Sequence, residues 1–254
     1  METGMSATET PDVNGKAALI TGASGGIGGE TARRLAKAGA KVAVHYNSNA
    51  DSANEIVAQI TSAGGTAIAV GGDVTDEAAC KAIVEKTVSE LGGLDILVNN
   101  AGISSFIPFG EMTAEAIDKE FSVNVKSVIL MTQAAAPHLE NGGRVVNVSS
   151  NLIHAPIPGM TAYCAAKSAV ACLTHGFAKE LGEKGITVNA VSPGATHTPM
   201  TAWLPDDMVK SISDATPLSR LSMPDDIADV IVFLASPASR WVNGRSVVVD
   251  GGLV

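Results

Sequence analysis

Short apolar runs alternate with amphipathic stretches from Lys16 onward. Segments 17–21 (AALIT), 41–46 (KVAVHY), 66–71 (TAIAVG), 95–99 (DILVN), 144–149 (RVVNVS), 186–192 (ITVNAVS) and 246–250 (SVVVD) have strand length and a β-branched bias. Their near-continuous apolarity marks strands covered on both faces, as in a parallel sheet. Between them Ala53, Ile56, Val57 and Ile60 recur at helical spacing, as do Cys80, Ile83, Val84, Thr87, Val88 and Leu91, and later Ile227, Val230, Ile231 and Leu234. Gly39, Gly64 and Gly92 stand where such helices should end. Strands separated by helices predict an α/β protein: a doubly wound parallel sheet of about seven strands with helices on both faces. Neither a repeat nor a linker divides the chain, so 15–254 reads as one domain after a flexible arm, 1–14. Only 195–222 breaks the rhythm. It carries Pro199, Pro205 and Pro217 with Trp203, Leu204 and Met208, and reads as a substrate-binding loop or lid.

Composition narrows the function. The 254 residues are 46% hydrophobic, enough to fill a core for one large α/β domain. A net charge of −9 opposes a nucleic-acid backbone or an anionic lipid surface, so neither partner is expected. No apolar run approaches the roughly 18 residues of a membrane span. The N-terminal stretch lacks the basic start and apolar core of a secretion signal. Cys80, Cys164 and Cys172 form no CxxC pair and fit a reducing compartment, so a cytoplasmic location is expected. Five scattered histidines (His45, His138, His154, His175, His197) form no metal-binding group, and no metal is expected.

The segment TGASGGIG (21–28) follows the first strand and opens the first helix. Its spacing, Gly22-x-x-x-Gly26-x-Gly28, differs from GxGxxG but serves the same physics. Residues without Cβ make a tight turn, and a diphosphate can approach the backbone at a helix N-terminus. A Rossmann-type site for NAD usually places Asp or Glu at the end of the second strand. Here that strand ends Tyr46-Asn47-Ser48, with no carboxylate before Asp51. Nothing there repels a 2′-phosphate, and Asn47 and Ser48 can donate to it, so NADP(H) is favoured over NAD(H). No Arg or Lys stands at 45–50 to pair with that phosphate, and His45 reads as a surface or packing residue.

Tyr163 and Lys167 stand four apart in TAYCAAKSAV, a helix-forming stretch that puts both on one face. A phenol, with a reference pKa near 10, needs help to act at neutral pH, and a nearby ammonium can lower that value. Ser150 lies thirteen residues earlier, just past the strand at 144–149. TGASGGIG, NNAG (99–102), VVNVSS…YCAAK and Pro193-Gly194, in this order and spacing, resemble the short-chain dehydrogenase/reductase family from about Lys16 to the DGG at 250–252.

The resemblance implies a catalytic tetrad. Tyr163 would exchange the proton with the substrate oxygen, and Ser150, not Ser149, would hydrogen-bond that oxygen. Lys167 would hold the nicotinamide ribose and depress the tyrosine pKa. Asn124 would support a proton relay through its backbone. The cofactor contacts implied are Gly22, Ser24, Gly26, Ile27 and Gly28 at the diphosphate, with Tyr46, Asn47 and Ser48 at the adenosine ribose. Asp73 and Val74 would edge the adenine, Asn100, Ala101 and Gly102 would line the ribose side, and Pro193, Gly194, Thr196 and Thr198 would reach the carboxamide and phosphates. Asp73 has the alternative reading of a capping or turn residue, and Asn99 that of a tie between strands. Two positions depart from the family pattern: Thr196, usually aliphatic, and Ser222, often glycine.

Ser150, Leu152, His154, Tyr163, Trp203 and Leu204 are expected to face the substrate, with His154 more simply a surface residue. This mostly apolar wall suits a neutral, medium-sized or aromatic ketone. The chain resembles NADPH-dependent reductases of naphthol- and polyketide-type ketones and 3-oxoacyl-carrier-protein reductases. A small-molecule carbonyl or alcohol is the expected partner, and homotetramers or homodimers the expected assembly. The alternatives are an NAD-dependent alcohol or sugar dehydrogenase and a non-catalytic dinucleotide-binding protein.

Overall fold

The computed structural model describes residues 12–254. Seven strands form one parallel sheet: β1 (Ala17–Ile20), β2 (Lys41–Tyr46), β3 (Thr66–Gly71), β4 (Leu94–Asn99), β5 (Leu139–Val148), β6 (Thr187–Pro193) and β7 (Ser246–Val249). Their spatial order is β3-β2-β1-β4-β5-β6-β7, each paired in parallel with its neighbour. The order reverses between β1 and β4, which opens a crevice at the carboxyl ends of the strands.

The continuous apolarity of the strands has a direct cause. Ala18 and Ile20 of β1 join one core, and Ala17 and Leu19 join the other. The first core takes in Leu35 of α1 (Gly26–Lys37), Ile56 of α2 (Ala50–Ser62) and Ile231 of α8 (Pro224–Ala235). The second takes in Ile83 of α3 (Glu77–Leu91), Met131 of α5 (Ser127–Ala135) and Ala178 of α6 (Thr161–Leu181).

Three local features depart from the sequence reading. Val13, placed in the N-terminal arm by the sequence, is buried in the first core, and Asn14 packs on Gly39; residues 1–11 lie outside the described residues. The stretch 116–138, read from sequence as one long helix, consists of α4 (Ala114–Phe121), a π turn (Ser122–Lys126) and α5. The 195–222 segment is not a plain loop, because it contains α7 (Asp206–Ala215). Among the described residues, no helix is long and apolar enough to cross a membrane.

Candidate active site

The turn after β1 is set by its close neighbours. A Cβ on Gly22 would come within 2.8 Å of Ala101 Cα, and one on Gly28 within 2.7 Å of the Gly22 carbonyl. Gly22 also has φ +62°, a conformation that side chains disfavour. The Asn100 side-chain amide donates to the carbonyls of Thr21 and Gly22, both at 2.9 Å, while Thr21 Oγ1 accepts the N–H groups of Asn100 and Ala101 at 3.0 Å. Gly25 caps α1 without a side-chain hydrogen bond, and no acidic residue enters the first turn. Among the described residues, the N–H groups of Ser24 and Gly25 have no protein acceptor. An open, partly positive helix end beside a glycine cradle fits a dinucleotide diphosphate. Ile27, in the first turn of α1, packs on the core.

At the end of β2 the Tyr46 ring lies on Gly71, where a Cβ would stand 2.8 Å from Tyr46 Cζ; Asn47 and Ser48 are exposed. Asp73 accepts both the N–H and the hydroxyl of Thr75 at 2.8 Å, which holds its carboxyl below the usual range. It is a turn residue, and Asp76 caps α3. The Val74 side chain is buried and joins the second core. His45, read from sequence as a surface or packing residue, is buried with both ring nitrogens hydrogen-bonded.

At the end of β5 the two serines divide. Ser149 donates its hydroxyl to the Lys167 carbonyl at 2.9 Å, whereas Ser150 accepts the Leu152 N–H at 3.2 Å and lies near enough to the Tyr163 phenol to act on its pKa. Tyr163 and Lys167 lie one turn apart on α6, with Lys167 Nζ 5.8 Å from the ring centroid. Burial, rather than the Lys167 charge, sets the direction of the phenol's pKa in this structure. It pushes the Tyr163 phenol up to about 12, opposed by the Ser150 hydroxyl. Burial likewise lowers Lys167 to about 8, and its Nζ donates to the Val148 carbonyl at 2.8 Å.

Asn124 sits in the π turn, buried, with its side chain on both backbone groups of Ile103 and on Glu120 Oε1 at 2.8 Å. Glu120, not singled out from sequence, is a buried carboxylate whose pKa burial raises. Its position four residues before Asn124 on a helix was the available signal. A Cβ on Gly102 would stand 2.7 Å from Asn124 Oδ1 and 3.3 Å from Lys167 Nζ, so only glycine fits between them. Asn99 donates to Asn147 Oδ1 at 2.8 Å and Thr132 Oγ1 at 3.1 Å, tying β4 to β5 and α5.

Beyond β6, Pro193 is buried and Gly194 abuts Asp250. The Thr196 hydroxyl does not face the crevice: it is buried, bonded to the Gly194 carbonyl at 3.0 Å and Ser222 Oγ at 2.8 Å. Thr198 lies over Gly26, 3.3 Å from the position of its Cβ, which brings this residue to the glycine turn. Trp203 faces Phe106 with ring centroids 6.1 Å apart, and Phe106 packs against Gly159. Leu204 and Leu152 are half-buried, His154 is exposed, and Asn151 is tied to Asp250. Phe106 was not identified from sequence, since a lone phenylalanine in a loop carries no periodic signal.

The chain matches the family model described as enoyl-(acyl carrier protein) reductase over residues 22–254. An uncharacterized oxidoreductase of Methylorubrum extorquens is 42% identical over 246 residues, covering 95% of this chain and 98% of that protein. A hydroxynaphthalene reductase-like protein of Metarhizium robertsii is 39% identical, covering 98% of this chain and 99% of that protein. A short-chain dehydrogenase from Burkholderia cenocepacia, solved in complex with NADP, superposes with a TM-score of 0.90 at 40% identity, covering 95% of this chain and 98% of that one. With its parallel sheet, glycine turn and serine–tyrosine–lysine group, the chain belongs to the short-chain dehydrogenase/reductase family and is an oxidoreductase.

Proposed function

We propose that this enzyme reduces a neutral, largely apolar or aromatic ketone, with NADPH favoured over NADH. The observation that carries this reading is the convergence of Ser150, Tyr163 and Lys167 at the carboxyl edge of the sheet. The open turn 22–28, which crosses the same edge, would hold the diphosphate, and bound NADPH would supply the hydride. Ser150 and Tyr163 would together hydrogen-bond the ketone oxygen. A phenol raised to about 12 keeps its proton at neutral pH, which is the form a ketone reduction consumes. As that proton leaves, the Lys167 ammonium offsets the charge left on the phenol oxygen.

The absence of a carboxylate at Tyr46, Asn47 and Ser48 supports the 2′-phosphate, as does the NADP held by the Burkholderia relative. Phe106 and Trp203, 55% and 51% exposed, supply aromatic walls, and the hydroxynaphthalene reductase-like relative supports an aromatic ketone. Exposed Ile117, Phe121 and Trp241 support self-association, for which light scattering is the check.

A panel of aromatic, aliphatic and 3-oxoacyl thioester ketones, each assayed with NADPH and NADH, tests the reading. Faster turnover of aromatic ketones with NADPH, lost in Tyr163→Phe, is the expected result. A Tyr163→Phe enzyme working at the parent rate would sink it.

A further inference from the structure

The residue before Tyr46 sits among apolar neighbours in a strand buried on both faces, yet it is a histidine. Its two ring nitrogens serve different loops. Nδ1 accepts the Gly22 N–H at 3.1 Å, in the turn after β1, and Nε2 stands 3.0 Å from the Gly72 carbonyl, in the loop after β3. A backbone N–H bonds only a nitrogen that carries no proton, and a carbonyl bonds only one that does. The pair of contacts therefore fixes the neutral ring with its proton on Nε2. Burial favours the same state, lowering the pKa against the Gly72 hydrogen bond and the charge of Asp73. The backbone helps as well: the His45 carbonyl accepts the Ala23 N–H at 2.8 Å. One residue thus takes two successive N–H groups of the turn, while those of Ser24 and Gly25 have no protein acceptor among the described residues.

We propose that His45 is a positioning residue for the dinucleotide: its Nδ1 lone pair anchors Gly22, so that the next N–H groups of the turn stay aimed at the diphosphate. This rests on reading 22–28 as the dinucleotide site. The anchor acts through the turn and touches no reacting atom.

Asparagine and glutamine separate the two contacts. Asn places its carbonyl oxygen near the Nδ1 position and can keep the Gly22 bond. Gln places its amide near Nε2 and can keep only the Gly72 bond. Three readouts apply to His45→Asn, His45→Gln and His45→Leu: the Kd for NADPH by fluorescence titration, the Tm, and hydrogen exchange of the 21–28 segment in the unliganded protein. Loss of one such hydrogen bond corresponds to roughly tenfold in Kd. Gln and Leu are expected to weaken NADPH by about that factor and to speed exchange at 21–28, with Asn restoring both to within about threefold of the parent. Equal Kd and exchange for Asn and Gln, or a Tm loss in Gln with no change in either, would overturn the proposal. If the parent binds neither NADPH nor NADH, the reading of the site fails, and the exchange measurement alone decides whether His45 holds the turn.

Discussion

Thr196 and Ser222 share a hydroxyl hydrogen bond of 2.8 Å, and a parallel bridge joins the same two residues. These are the two positions at which the sequence departs from its family's pattern, and each accommodates the other. Together they join the two ends of the 195–222 segment. Thr196→Val and Ser222→Gly are each expected to cost about 1 kcal/mol. The double variant should fall short of the sum by about 0.5–1 kcal/mol, read from urea unfolding at fixed pH.

Adjacent serines should fail in different ways. On the proposed reading Ser150→Ala removes a donor to the ketone oxygen, and kcat should drop about 100-fold with little change in Tm. Ser149→Ala removes one hydrogen bond from a Lys167 carbonyl that the α6 ladder still satisfies, so stability should fall by about 1 kcal/mol while kcat changes only a few-fold. Kinetics and thermal melts on both variants separate the two.

Lys167 gives stability a definite pH dependence. The folded enzyme releases its ammonium proton near 8, whereas the unfolded chain holds it to about 10.5. Between those values the unfolded state binds more protons, so this residue's contribution to stability rises with pH. Relative to Lys167→Met, the parent should gain about 3 kcal/mol between pH 8 and 10.5, measured by denaturant titration at several pH values. The Tyr163 phenol works in the opposite sense above pH 10, in parent and variant alike.

Gly102→Ala places a methyl group 2.7 Å from Asn124 Oδ1 and 3.3 Å from Lys167 Nζ. Backbone and buried amide must both shift, at about 1–3 kcal/mol. Turnover should fall at least about tenfold, because the displaced groups belong to the proposed catalytic cluster. A Gly102→Ala enzyme with parent kcat would show that the cluster tolerates displacement.

The sheet was legible because burial on both faces leaves a continuous apolar run, as at 17–21, 41–46 and 66–71. The placing of Tyr163 and Lys167 on one helix face followed from their spacing, and Ser150 was joined to them by the family resemblance. The π turn at Asn124 was not legible, since one extra residue per turn scarcely disturbs helical periodicity. α7 was hidden by flanking prolines and by having no buried residue to mark a face. Val13 lies in a polar stretch, and its burial depends on helices far away in sequence. The balance of burial against charge on Tyr163 needs three dimensions: spacing reports that Lys167 is near, not that its Nζ is directed to Val148.

The contact of Phe106 with Gly159 and Trp203 brings three loops, from three crossovers, onto one ring. Gly159 has φ +80°, and a Cβ there would drive into the phenylalanine, so Gly159 cannot grow unless the Phe106 ring moves or shrinks. In directed evolution these positions form an epistatic unit. Libraries that randomise them one at a time will record mostly losses, and altered substrate range is to be sought by varying 106, 159 and 203 together.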